Sequence, residues 1–188
     1  MFSTTTIATR PLGKTGIHVT PIGLGVMELA GGGGLFGHAF PVIPQSDKNA
    51  IIKAALDGGI NWFDTAELYG SGVSERSLAE GLKSAGKRPG EVVIATKWWP
   101  LLRTAGNISH SIADRLRFLE GFPIDLYYVY QPYSFSSPES EMNAMADLVE
   151  AGKIRTVGVS NSGPTRMRRA HAFCPTCRTP LRLEGASQ

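Results

Sequence analysis

Four apolar runs, each closing on a polar or charged residue, recur along this chain at a nearly fixed spacing. They end near Asp64, Lys97, Tyr130 and Ser160, so successive ends lie 33, 33 and 30 residues apart. The runs Ile60 to Asp64, Val92 to Lys97, Ile124 to Val129 and Ile154 to Val159 have the length and apolar character of strands covered on both faces. A shorter run of the same kind, Ile22 to Gly25, precedes them. Helical patterns fill the gaps. Ser46 reads as an N-cap for a helix carrying Ile51, Ala54, Ala55 and Leu56, stopped by Gly58-Gly59. Ser74 reads as the cap of a second, with Leu78 and Leu82 on one face. Ile108, Ile112, Leu116 and Leu119 mark a third. Ser137-Pro138 opens a fourth, with Met142, Met145, Leu148 and Val149 inward and Gly152 closing it.

Strand and helix alternating at a fixed period imply parallel strands joined by right-handed crossovers. Either an open doubly wound sheet or a closed barrel fits. The open dinucleotide-binding sheet calls for a G-x-G-x-x-G turn after its first strand. Here Gly23-x-Gly25 is followed by Glu28 where the third glycine belongs. A parallel (β/α) barrel of TIM type is favoured, preceded by a small hairpin between Arg10 and Thr20, and only about five of the usual eight β/α units are present.

Composition narrows the function classes. The chain of 188 residues is 42% hydrophobic and 19% charged, as in ordinary globular domains. No apolar run reaches the roughly 20 residues that cross a bilayer. The first residues lack the pattern of a secretory signal, so the cytoplasm is the expected compartment. A net charge of +3, scattered along the chain, argues against a nucleic-acid partner. Cys174-Pro175-Thr176-Cys177 lacks the second half of a zinc site and any thioredoxin-like surroundings, and no metal is expected.

Function in such a barrel gathers at the C-terminal ends of the strands. A hydride delivered to a carbonyl leaves charge on oxygen, which needs a proton donor. Tyrosine, with a pKa of about 10, donates slowly unless a nearby ammonium stabilises its anion. Tyr69 as donor, Lys97 as that ammonium and Asp64 as the carboxylate holding it supply these three roles.

Longer stretches of the sequence support the same chemistry. Leu12-Gly13-Lys14-Thr15-Gly16, the run from Gly58 through Asp64-Thr65-Ala66-Glu67-Leu68-Tyr69-Gly70, Ala95-Thr96-Lys97, and the run from Gly152 to Ser160-Asn161 closely resemble motifs of the aldo-keto reductases. The resemblance implies an NADPH-dependent oxidoreductase that reduces aldehydes or ketones to alcohols, with a small carbonyl compound as its partner. By it, Asp64, Tyr69 and Lys97 are three of four catalytic residues, and Ser160 and Asn161 hold the nicotinamide carboxamide. Met27 and Trp98 fall where family members line the substrate pocket. The fourth catalytic position, a histidine in the family, is Tyr130 here.

The resemblance covers about Arg10 to His171, which divides the chain into a partial barrel, residues 1–171, and a divergent irregular tail, residues 172–188. The family's later strands carry a tyrosine that stacks on the nicotinamide and a loop that grips the 2′-phosphate. Their absence predicts weak NADPH binding and self-association through uncovered strand edges. The alternative reading is therefore a catalytically impaired, truncated member of this type acting as a nucleotide- or partner-binding module.

Overall fold

The computed structural model of the chain describes residues 7–32 and 41–173. The cysteine pair and most of residues 172–188 lie outside the described residues, as does most of the glycine-rich stretch after Ala30.

A short antiparallel hairpin comes first, β1 (Arg10–Pro11) with β2 (His18–Val19), as its turn-rich sequence suggests. Then follow β3 (Leu24–Gly25), α1 (Gln45–Asp57), β4 (Trp62–Asp64), α2 (Val73–Ser84), β5 (Val93–Trp98), α3 (Ile108–Phe118), β6 (Ile124–Val129), α4 (Pro138–Glu150), β7 (Ile154–Val159) and α5 (Pro164–Ala172). The strands β3-β4-β5-β6-β7 form one sheet in sequence order, every neighbour parallel. Among the described residues the sheet is a partial TIM-like barrel that does not close: β3 and β7 are its edges.

The two faces of the sheet do different work because successive side chains alternate between them. On the helix side, Phe63, Ile94, Trp98, Tyr127, Val129, Val157 and Val159 pack with Leu78, Leu82, Ile108, Ile112, Met142 and Met145 in one continuous core. On the other face Ala95, Leu126 and Tyr128 form a small cluster with Leu12 of the hairpin. The hairpin is fastened there by Asn61, whose Oδ1 accepts from the Thr20 amide at 2.8 Å and whose Nδ2 donates to the His18 carbonyl at 2.9 Å.

Helix starts separate local from long-range causes. Ser137 does cap α4: its hydroxyl accepts from the Ser140 amide at 3.2 Å, and Pro138 occupies the first turn. Ser46 and Ser74 are not caps. The first helix begins at Gln45 after Pro44, whose carbonyl takes the amides of Asp47 and Lys48, and Ile52 rather than Ile51 is its fully buried isoleucine. The second begins after Gly72, and Ser74 lies buried inside it, its hydroxyl donating to the Val26 carbonyl at 2.6 Å and accepting from Thr65 Oγ1 at 3.0 Å. A buried serine offered an acceptor just past β3 and a donor just past β4 bonds across the fold instead of to its own helix.

Candidate active site

The ends of β4, β5 and β6 bring Asp64, Lys97 and Tyr130 to one mouth, where Tyr69 returns from the loop after β4. That return needs Gly70. Its φ of +66° is in the left-handed region, and a Cβ would stand 2.7 Å from the Ala30 carbonyl oxygen. Tyr69 thereby packs with Ala30 and Ala66, and Met27 and Tyr130 join the same cluster.

Lys97 donates to Asp64 Oδ1 in a tight ion pair and to the Thr65 carbonyl at 3.0 Å. The lysine side chain is 8% exposed and the aspartate 28%, so one partner still reaches the opening. Burial pushes the Asp64 carboxyl up and the Lys97 ammonium down, and in each case the partner's charge opposes the shift. The ammonium lies 5.2 Å from the Tyr69 ring centroid and 5.4 Å from that of Tyr130, close to both rings.

The Tyr69 hydroxyl is bonded to the Tyr130 hydroxyl at 3.3 Å, and the two rings meet edge to face with centroids 6.0 Å apart. The net pull on Tyr69 is upward, contrary to the expectation that the lysine lowers it. Burial raises its pKa most, and Tyr130, Asp64 and Glu28 add to the rise. The resting phenol therefore stays protonated.

At the end of β7, Ser160 is buried and Asn161 sits in the left-handed region at φ +51°, a conformation asparagine tolerates better than most residues. The Asn161 amide donates to the Tyr130 carbonyl at 3.0 Å and to Ser160 Oγ at 3.1 Å. Its donors are committed, which leaves Oδ1 as an acceptor beside the Ser160 hydroxyl as a donor.

Trp98 is not brought to this mouth. It is fully buried on the helix side, its indole N–H donating to Asn107 Oδ1 at 3.0 Å. Its neighbour Trp99 faces the site, with its ring 5.6 Å from Tyr130 at an interplanar angle of 62°. The signal was in the sequence: residues two apart on a strand share a face, so Trp99, not Trp98, goes with Lys97. Glu67 and Arg103, which bond to each other at 2.6 Å beside Trp99, had no such signal.

The model of the aldo/keto reductase family matches residues 21–178. The chain belongs to the aldo/keto reductase family. Among curated relatives, the aldo-keto reductase YhdN of Bacillus subtilis is 36% identical over 184 residues, covering 92% of this chain and 53% of the relative. The 6-dehydroglucose reductase of Novosphingobium aromaticivorans is 33% identical over 165 residues, 82% of this chain and 51% of the relative. Among solved structures, the thermostable aldo-keto reductase Tm1743, in complex with the inhibitor epalrestat, superposes with a TM-score of 0.77 at 28% identity, covering 90% of this chain and 59% of that one. The holo form of aldo-keto reductase AKR11C1 from Bacillus halodurans gives 0.74 at 26% identity, with coverage of 90% and 55%. This reductase-family chain spans about half the length of the curated relatives it matches.

Proposed function

We propose that the chain carries the catalytic half-site of a cytoplasmic NADPH-dependent carbonyl reductase, taking small aldehydes or ketones to alcohols. The observation that carries this reading is the assembly of Asp64, Lys97, Tyr69 and Tyr130 at one mouth beside Ser160 and Asn161. A carboxamide presents one acceptor oxygen and one donor nitrogen, and the Ser160 hydroxyl with Asn161 Oδ1 is the complementary pair. Those residues would hold a nicotinamide. The choice of NADPH over NADH rests on the family resemblance.

When bound, the reduced cofactor supplies a hydride to the carbonyl carbon. The rest belongs to the chain's own residues. The substrate oxygen is received between the Tyr69 and Tyr130 hydroxyls, which are close enough to donate to one atom. As the carbonyl π pair becomes a lone pair on oxygen, Tyr69 Oη gives it a proton and is left as a phenolate. Lys97, beside both rings, stabilises that anion, and Asp64 keeps the lysine charged and in place. Tyr130 orients the oxygen and holds Tyr69 between turnovers.

The test follows NADPH consumption by the full chain with benzaldehyde, alongside titration of NADPH fluorescence. Turnover that falls by about 10²-fold or more in Tyr69→Phe while binding is kept supports the reading. Binding that is unaffected by Asn161→Ala, or turnover indifferent to Tyr69→Phe, refutes it.

A further inference from the structure

Glu67 lies two residues before Tyr69, and its role in the mouth is not explained by proton transfer. Its side chain is only 15% exposed, three donors converge on its carboxylate, and its own amide is also engaged. Oε1 accepts from Arg103 Nη1 at 2.6 Å. Oε2 accepts from the Trp99 amide at 3.0 Å and from the Ser111 hydroxyl at 3.2 Å. Its own amide donates to the Lys97 carbonyl at 3.1 Å. Glu67 therefore grips β5 on both sides of Trp98, by the carbonyl of the residue before it and the amide of the residue after.

Arg103 extends the grip. The same Nη1 also donates to the Trp99 carbonyl at 3.2 Å, and the Arg103 carbonyl accepts from the Phe135 amide at 2.9 Å in the loop after β6. The backbone of Trp99 is thus fixed at both its amide and its carbonyl, by one carboxylate and the guanidinium bound to it. Charge-assisted bonds of this kind are the stronger class and fix direction as well as distance. What they fix is the stretch from which the Trp99 ring meets Tyr130.

We propose that Glu67 is a positioning residue that sets the aromatic wall formed by Trp99 against Tyr130. It thereby selects carbonyl compounds with an aromatic or similarly broad flat group over small aliphatic ones. This rests on the carbonyl-reductase reading above. The selection works through shape: a flat group needs the Trp99 ring held in one attitude, whereas a short aliphatic chain gains little from it.

The test uses the full chain labelled with 5-fluorotryptophan. Its three tryptophans, Trp62, Trp98 and Trp99, are assigned by single Trp→Phe variants. In Glu67→Ala the fluorine resonance of Trp99 should shift or broaden while those of Trp62 and Trp98 stay, and Glu67→Gln should restore it in part. The ratio of kcat/KM for benzaldehyde over propanal should fall about tenfold in the alanine variant and less in the glutamine one. NADPH affinity should not change. Where Glu67→Ala fails to fold, Arg103→Met releases the other arm of the grip and should move the same resonance and ratio. A Trp99 resonance and a substrate ratio both unchanged in a folded variant overturn the proposal, as does a uniform shift of all three resonances. A wild-type chain that reduces neither aldehyde ends the reductase reading, while the Trp99 resonance still decides whether the grip exists.

Discussion

Two ion pairs flank β5, one on each face, and they are held by adjacent residues. On the barrel face Lys97 pairs with Asp64. On the helix face Thr96 donates to Glu75 Oε1 at 2.7 Å, and Glu75 Oε2 lies 3.2 Å from Arg115 Nε. The second pair is sealed, with Glu75 fully buried and the Arg115 side chain 4% exposed, whereas Asp64 keeps a path to the opening. Burial pushes the Glu75 carboxyl up to about 7 even with the guanidinium beside it. Glu75 Oε2 and Arg115 Nε and Nη1 also lack a well-directed hydrogen bond. The same two charges thus serve different ends. Where a pair meets the opening it can act on a substrate; where it is sealed it joins α2 and α3 to the sheet and is costly to disturb.

Lys97→Met should separate the two faces most widely. Loss of the ammonium beside both phenols should lower turnover by about 10³-fold. Stability, read from a urea transition, should fall less than in the Arg115 variant, because the half-open Asp64 can take a proton or water. A large stability loss with little kinetic effect would reverse the assignment of the two faces.

Arg115→Met should cost about 3 kcal/mol, since Glu75 loses its cation and can stay enclosed only by taking up a proton. The same urea transition measures it, and a change below about 1 kcal/mol would mean that the pair is not sealed in solution.

The pH dependence has a definite sign. Glu75 titrates near 4.5 when unfolded and near 7 when folded, so the folded state binds the extra proton between those values. Its contribution to stability is greatest at low pH and is lost as pH rises through that window, by on the order of 3 kcal/mol. Urea transitions from pH 4.5 to 8 should show this component in the wild type and not in Glu75→Gln.

The smallest effect belongs to Thr96→Val, which keeps shape and removes one donor to Glu75. It should cost about 2 kcal/mol and leave kcat and KM unchanged, although it is the immediate neighbour of Lys97. Altered kinetics would show that the two faces are coupled through β5.

Much of this arrangement is legible before any folding is considered. The spacing of Asp64, Lys97, Tyr130 and Ser160 follows from the length of one β/α unit, and each glycine or proline at a helix end acts within a few residues. Local rules therefore determined β6 and β7 with their observed ends, the capped start of α4 at Ser137, and the gathering of strand ends at one mouth. Tertiary structure alone decided the rest. Whether Ser74 caps a helix or bonds to Val26 depends on a carbonyl 48 residues away in sequence. That the Tyr69 hydroxyl meets Tyr130, and that Glu67 meets Trp99 and Arg103, depends on how β4, β5 and β6 are staggered. The upward direction of the Tyr69 shift is set in the same way. Charges can be counted along a chain, but the desolvation that outweighs them is a property of the folded interior.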